Sequence, residues 1–366
     1  MAKKIGANAP CYCGSGNKYK RCHQGREKEK PLHPKELTNQ LRRSYQREIC
    51  LFPTAPTGCG DKIINAHTIQ RSGAISKIVD ATNHVLTFYP PEKDSKGQRK
   101  IHSRGWKEAS TFKGFCNTHD TSLFADLETK PFVGNEKQCF LIGYRAVCHE
   151  KYQKRAVNEN TPLLKANLDK GMSKAGQIST QQRLKFYEFG TQTGAKEVND
   201  IKNLYDLSLQ KNDFTDINYV VISFDGDVSV VSTGIVSPDF DVNGKRLQDI
   251  TDFTKELEAL TFGVVSTPTG GAFVFSWSSQ FKICSEFVNT LLSSPEEKIP
   301  SLLIEFIFAY VENTYFSKDW WDSLDKTKCN RIRQLAILPS GYGGFWRYSR
   351  IKFTNWKITG IQKYLK

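Results

Sequence analysis

Residues 9–24, APCYCGSGNKYKRCHQ, place three cysteines and one histidine within sixteen positions. A segment this short cannot bury enough apolar surface to fold unaided, so a bound metal must supply most of its folding free energy. Cys11, Cys13, Cys22 and His23 form a compact set of sulfur and nitrogen donors, which is the tetrahedral shell that structural zinc takes. Glycines between the ligand pairs let the backbone turn back tightly. The pattern predicts a closed, structural zinc clip.

The run PCYCGSGNKYKRCHQ resembles the SEC-C motif, a zinc-binding module known from the C-terminus of the SecA translocation ATPase and found in many bacterial proteins. The resemblance implies that the four ligands bind zinc and that Lys18, Tyr19 and Lys20 are available to a partner. In SecA-type proteins the module contacts a chaperone and ribosomes. Nothing else in this chain resembles a translocation ATPase, so we expect a protein partner of the clip without naming it.

Four further potential zinc ligands follow between residues 50 and 119. The pair Cys116-x-x-His119 stands at a predicted helix start, which puts both side chains on the same side of one turn. With Cys50 and Cys59 from an earlier loop, they could complete a second Cys₃His zinc site. The alternative is that these are unrelated buried cysteines and a surface histidine.

The order of elements here is a cysteine pair, a β-branched run ending in AHTIQR, a variable stretch, and FCNTHD opening a helix. This order resembles the treble-clef form of the HNH (ββα-metal) nuclease fold. The resemblance implies that His67 is the general base that activates water, and that Asp120 binds a catalytic Mg²⁺ or Mn²⁺ ion. The family usually has Asp or His just before the base, whereas this chain has Ala66. His67 could equally be a buried histidine bonded to backbone, or the fourth zinc ligand.

The positive charge is concentrated in the first third of the chain. Residues 1–120 carry 22 Lys/Arg against 10 Asp/Glu, a net +12, and the remaining residues carry a net +2. A basic region of this kind predicts a polyanionic partner, either nucleic acid or a ribosome or other nucleoprotein. A solvated basic surface without a partner is the alternative.

The chain has no run of eighteen apolar residues, so we expect no membrane span. The start, MAKKIGANAP, lacks the apolar segment of a secretory signal. Ten cysteines then fit a reducing cytoplasm, where clustered thiols bind metals rather than form disulfides. We therefore expect a cytoplasmic protein.

The predicted fold class is α+β, with a zinc clip at 1–30, a treble-clef/HNH-like zinc module at 31–130, and a mixed α+β domain at 131–366. In the third part, INYVVISF and VSVVSTGIV around DGD predict a hairpin, and so do ALTFGVVST and GAFVFSWSS around PTGG. SEFVNTLLSS and PSLLIEFIFAYVENTYF predict buried helices. The glycines of PTGGAF and SGYGGFW lack a phosphate-loop pattern and predict turns.

Together these patterns predict a bacterial zinc protein that engages nucleic acid or a nucleoprotein. If it is an enzyme, it is an HNH-like metal-dependent nuclease, and such architectures fit phage-defence or mobile-element settings by analogy. The alternative is a non-enzymatic adaptor in which the clip docks a protein or ribosome and the second zinc is structural. Arg145 and His149, one helical turn apart, are interpreted as an ordinary helix face.

Overall fold

The computed structural model describes residues 5–338 and 347–366. Helices and strands are mixed along the chain, which confirms the α+β class. None of the helices in these two ranges has the length and apolar character needed to span a bilayer. The predicted turn SGYGGFW, residues 340–346, lies outside the described residues.

The helices and strands are numbered here in chain order. The helices are α1 Pro34–Ser44, α2 Asn117–Leu123, α3 Ala125–Glu128, α4 Glu136–Asn167, α5 Lys174–Lys211, α6 Lys282–Leu292, α7 Ile299–Tyr310, α8 Lys318–Ser323 and α9 Lys326–Leu335. The strands are β1 Ile63–His67, β2 His84–Thr87, β3 His102–Gly105, β4 Thr111–Cys116, β5 Ile217–Asp225, β6 Val230–Val236, β7 Leu260–Ser266, β8 Gly270–Ser278, β9 Thr314–Phe316 and β10 Lys357–Tyr364.

The chain falls into two compact units, each built from two stretches of sequence. Residues 1–47 and 151–199 form the helical unit, and residues 48–150 and 200–366 form the sheet unit. The chain passes between the units within the long helices α4 and α5. The domain boundaries at residues 30 and 130 stay a prediction.

In the helical unit, α1 lies along the second half of α4. The last carbonyls of a helix have no partner within it, and here side chains of α4 supply the donors. Arg155 donates to the carbonyl of Ser44 (3.1 Å) and Asn160 to that of Leu41 (3.1 Å). The Tyr152 hydroxyl donates to two carbonyls just beyond the helix, at 2.9 Å each. The C-terminal end of α1 is therefore capped by tertiary contacts with α4.

The sheet unit contains an antiparallel sheet with the strand order β10-β5-β8-β7-β6-β9-β2-β3. The hairpin predicted around PTGG is confirmed, because β7 and β8 pair antiparallel up to Ser266 opposite Gly271. The two predicted buried helices form as α6 and α7, but α7 ends at Tyr310 and Thr314–Phe316 form β9 instead of more helix. The Phe306 ring of α7 lies 5.2 Å from Phe262 and 5.7 Å from Phe275, centroid to centroid.

The hairpin predicted around DGD is wrong. Both strands form, but β5 pairs with β10 and β8, whereas β6 pairs with β7 and β9. The turn is held by a distant residue instead: the Trp356 indole donates to the carbonyl of Asp227 at 2.7 Å, and its ring stacks on Phe224 at 4.2 Å. Strand β5 is buried along most of its length, so it needs a partner on both edges, and β10 and β8 occupy them.

A separate two-stranded sheet, β1 with β4, also belongs to the sheet unit. The strands are antiparallel, with Ile63 opposite Cys116 and His67 opposite Thr111. Helix α2 begins directly after β4. This arrangement places the end of β1, the start of α2 and the following α3 in one region, which contains the second set of predicted site residues.

Candidate metal centres

The clip brings its four predicted ligands together. The Nδ1 atom of His23 lies 3.2 Å from the sulfur of Cys11 and 3.1 Å from that of Cys22. The sulfur atoms of Cys13 and Cys22 are 3.5 Å apart, and all four ligand atoms lie within 4.8 Å of one another. Tetrahedral zinc with its usual bond lengths separates ligand atoms by roughly 3.5–3.8 Å. This donor set fits zinc in both chemistry and size.

A second layer of polar contacts orients His23. Its Nε2 atom lies 3.0 Å from the carboxylate of Asp169, which is fully buried. The same carboxylate accepts hydrogen bonds from Arg26 at 2.7 Å and from Gln181 at 2.9 Å. A carboxylate on the outer nitrogen fixes the imidazole so that Nδ1 faces the metal. Asp169, between α4 and α5, is therefore part of this centre, although it lies far along the chain.

Burial lowers the pKa of His23, and the Arg26 guanidinium lowers it further, while Asp169 opposes both. The imidazole is therefore neutral near pH 7, which is the form that binds a metal. Burial raises the pKa of Cys11 to about 12, and neighbouring sulfurs add to the rise. Thiolates in such a crowded cluster are stable only against a cation, because they repel one another.

The clip also docks on the helices of its own unit. The Tyr12 hydroxyl donates to Gln177 of α5 at 2.7 Å, and the Lys174 ammonium lies 5.7 Å from the Tyr19 ring centroid. Tyr19 is buried, so the expectation that it faces a partner is wrong: its ring packs against the cysteines in the core of the clip. Lys18 and Lys20 are exposed as expected.

The second cluster is equally compact. The Nδ1 atom of His119 lies 3.4 Å from the sulfur of Cys50, 3.6 Å from Cys59 and 3.3 Å from Cys116. The four ligand atoms lie within 4.8 Å of one another. His119, and not His67, is therefore the fourth member of this set, which leaves His67 for another role.

Local structure explains this geometry. The Cys116 sulfur caps α2 by accepting a hydrogen bond from the His119 amide (3.4 Å), and it also accepts one from the Gly60 amide (3.3 Å). The Phe52 ring stacks on the His119 ring at 4.0 Å and 10°. Desolvation raises the pKa of Cys59 to about 12, and Cys50 adds to the rise. The cluster, like the first, needs a cation to hold its thiolates.

His67 ends β1 outside the zinc cluster. The nearby backbone of Lys107 favours the protonated ring and so opposes a lowered pKa, whereas the Nε2 atom is buried and has no partner among the described residues. Burial lowers the pKa of His67 to about 4, and the cations of Arg71 and Arg145 contribute. The His67 ring is therefore neutral near pH 7.

Asp120 lies in α2 and also has a buried, unpartnered atom, Oδ1, within the described part of the chain. Burial raises the pKa of Asp120, Arg145 opposes the rise, and Glu128 reinforces it. Arg145 donates to Glu128 at 2.8 Å, and its guanidinium lies 3.9 Å above the Phe124 ring. Arg145 and Glu128 thus act electrostatically on both His67 and Asp120.

The sequence pattern assigns Arg145 to an ordinary helix face and does not single out Glu128. Arg145 is only 3% exposed, so it is not on an ordinary solvated helix face. One signal was available: Arg145 interrupts the apolar run FLIGYRAVC, and a buried charge needs a specific partner. Glu128 carries no comparable signal. The family's acidic residue before the base is absent here, and Ala66 is itself buried at 2% exposure.

Comparisons with known proteins bear on the clip alone. Neither curated proteins nor solved structures gave a match to the chain. Residues 8–25 match the SEC-C motif family. The match covers all four ligands of the first cluster, whose geometry fits zinc, so the chain carries a SEC-C zinc-binding motif at its start.

Proposed function

We propose that the β1–β4–α2 region is a metal-dependent phosphodiesterase site that cleaves nucleic acid. One observation carries the proposal: an imidazole nitrogen of His67 and a carboxylate oxygen of Asp120 are both buried without a partner among the described residues. Burying a polar atom unpaired costs free energy. Buried polar atoms without a partner occur at functional sites, where a ligand supplies the missing contacts.

His67 has the properties of a general base. Its pKa of about 4 keeps the ring neutral near pH 7. In this proposal Nε2, which is buried without a partner among the described residues, is the atom that accepts a proton from water.

Asp120 and Glu128 fit a hydrated Mg²⁺ or Mn²⁺ ion. Mg²⁺ is usually bound by one or two carboxylates and keeps several waters. Asp120 offers a free oxygen, and Glu128, which acts electrostatically on Asp120, offers a second carboxylate in place of the acid missing at Ala66. When bound, such an ion stabilises charge on the leaving oxygen of a phosphodiester.

Arg145 balances this acidic pair and is suited to phosphate. Its Nη1 donates to Glu128, while its Nε is buried without a partner in the described chain. A guanidinium with an unused donor can hydrogen-bond a phosphate oxygen. Arg145 also lines a small cleft together with Thr68, Gln70 and Leu127.

The test is a cleavage assay with the full-length protein on plasmid DNA, single-stranded DNA and RNA, with and without Mg²⁺ or Mn²⁺. We expect metal-dependent cleavage that His67→Ala reduces by about 10²–10⁴-fold and that Asp120→Asn also reduces. His84→Ala, at the start of β2, is the control and should retain full activity. The bound zinc should be unchanged in all three variants. Cleavage that survives His67→Ala, or no metal-dependent cleavage by the parent protein, would overturn the proposal.

A second candidate function is a non-enzymatic adaptor, in which both zinc sites are structural. The observation that favours it is the surface of the clip, where Lys18, Lys20 and Arg21 are exposed and make no ion pair within the described residues. An adaptor predicts binding to a protein or ribosome that Lys18→Gln with Lys20→Gln weakens and His67→Ala leaves unchanged. Absence of cleavage together with this binding would favour the adaptor.

A further inference from the structure

The excess positive charge follows the division into compact units more closely than it follows position along the chain. The helical unit contains 21 Lys/Arg against 7 Asp/Glu, a net +14, whereas the sheet unit contains 31 against 31, a net of zero. The whole excess therefore belongs to the clip, α1 and the adjoining parts of α4 and α5. Soluble small domains usually carry a net charge of about 2–8 in magnitude. Self-repulsion at +14 destabilises the compact state, so the charge indicates a polyanionic partner.

The excess charge lies at the surface. Among the cations of the helical unit that the structure describes, only Arg26 is buried, and it is paired with Asp169. Many others are exposed and make no ion pair within the described residues. They are Lys18, Lys20, Arg21, Lys28, Lys30, Lys35, Arg42, Arg43, Arg183 and Lys185.

Helix α5 adds aromatic rings to this basic surface. Phe186 and Phe189 are 54% and 52% exposed. At 100° per residue they share one helix face with Lys185 and Lys196, which are also exposed. The opposite face of this stretch of α5 is half-buried, with Leu184 and Val198 buried. Large apolar rings at this exposure are uncommon on a surface that meets only water. We call the face formed by Lys185, Phe186, Phe189 and Lys196 the α5 face.

We propose that the α5 face binds single-stranded nucleic acid. Unpaired bases stack on exposed aromatic rings while flanking cations contact the phosphates, which is how sequence-tolerant single-strand binding is built. A duplex keeps its bases stacked inside and cannot use the two rings. A second copy of the chain would bring two surfaces of +14 together. The binding does not depend on catalysis at His67, so this inference goes beyond the proposed nuclease.

The experiment measures fluorescence anisotropy of a labelled single-stranded oligonucleotide of mixed sequence with the full-length protein, without Mg²⁺ or Mn²⁺. A duplex of the same sequence is the second probe. We expect Phe186→Ala with Phe189→Ala to weaken single-strand binding by at least about fivefold per ring. Lys185→Gln with Lys196→Gln should lower the slope of log affinity against log salt by about one per lost phosphate contact.

Leu207→Ala and Lys211→Gln are the matched controls, since both lie on α5 but in the sheet unit, and Leu207 is 52% exposed. They should leave binding unchanged. Circular dichroism and zinc content check that every variant is folded, and Lys185→Glu with Lys196→Glu gives a second, charge-reversing test if the phenylalanine pair misfolds.

The proposal would be overturned if duplex and single strand bound with equal affinity and Phe186→Ala with Phe189→Ala changed neither affinity. The proposal would also be overturned if light scattering showed a dimer that Phe186→Ala with Phe189→Ala dissociates without any change in nucleic-acid affinity. Binding of a labelled acidic peptide without binding of nucleic acid would also contradict the proposal. His67→Ala should abolish cleavage and leave this binding intact, so failure of the nuclease proposal and failure of this one give different results.

Discussion

The residue with the largest consequence for the clip is Asp169, which the metal-ligand pattern does not include. It accepts hydrogen bonds from His23, Arg26 and Gln181 at 2.7–3.0 Å while fully buried. One carboxylate therefore orients a predicted metal ligand and neutralises the buried Arg26 guanidinium. Partners of this kind change the affinity for the metal although they do not contact it, because they orient the ligand.

We predict that Asp169→Asn weakens zinc binding at the clip by about 10–100-fold. The amide keeps the size of the carboxylate but removes the charge that polarises His23. Competition with a colorimetric zinc chelator measures the change. Glu27→Gln, an exposed acid of the same clip, is the control. Equal zinc affinity in Asp169→Asn and the parent protein would contradict the assigned role.

A pH profile tests the state of His67. Its pKa is lowered to about 4 by burial and by neighbouring arginines, so the ring stays neutral as the pH falls through the range where an ordinary histidine gains its proton, near pH 6.5. We expect the acid limb of kcat/KM for cleavage to lie below about pH 5. A half-maximal rate near pH 6.5 would show that His67 is not the base or is not buried in the working enzyme.

The same shift affects stability with a defined sign. The folded protein takes up the His67 proton only near pH 4, whereas the unfolded chain takes it up near pH 6.5. Between these values the unfolded state binds more protons, so this group lowers the free energy of unfolding as the pH falls. Above about pH 6.5 it has no such effect.

At the scale of elements, the second cluster depends on one local event, the start of α2 at the end of β4. Cys116 is at once the last residue of the strand, the cap of the helix and a ligand. Its spacing to His119 places both on one turn, as the sequence predicted. The other two ligands come from the loop before β1, and the stacking of Phe52 on His119 brings that loop into place.

We predict that the purified protein binds two zinc ions and that Cys116→Ser binds one. The clip and the second cluster belong to different compact units, so loss of one should spare the other. Mass spectrometry of the metal content measures the count. Cys329→Ser, a cysteine outside both clusters, should retain two. A count of one in the parent protein would contradict the second site.

Element order alone also predicts the wrong strand pairing at DGD. Two β-branched runs joined by a short turn satisfy every local rule for a hairpin. The structure instead separates β5 from β6 by β8 and β7, because β10 arrives from the end of the chain and Trp356 holds the turn. No local sequence pattern predicts that β10 pairs with β5.

At the scale of the whole molecule, the excess positive charge and the residues of the proposed catalytic site belong to different compact units. The helical unit carries the net +14, and the sheet unit, which contains His67 and Asp120, is neutral overall. A protein that both holds and cuts nucleic acid would then use one unit for affinity and the other for reaction.

We predict that Lys18→Gln with Lys20→Gln lowers the salt concentration at which the protein elutes from heparin. Both residues are exposed on the clip of the basic unit, and phosphate- or sulfate-bound cations dominate salt dependence. The control, Lys326→Gln with Lys352→Gln, removes the same charge from exposed positions of the neutral unit and should elute almost unchanged. Equal shifts for the two pairs would show that total charge, not its location, determines binding.

Local sequence patterns predict the two Cys/His clusters, the helix start at Cys116, the α+β class and the β7–β8 turn. These depend on spacing and on rules that act within one turn or one hairpin. Tertiary structure alone decided which residues support those ligands. It brought Asp169 to His23, Arg145 and Glu128 to His67 and Asp120, and the charges of two distant stretches into one unit. The physical reason is that burial and electrostatic pairing act through space, between residues whose separation along the chain no local pattern can bridge.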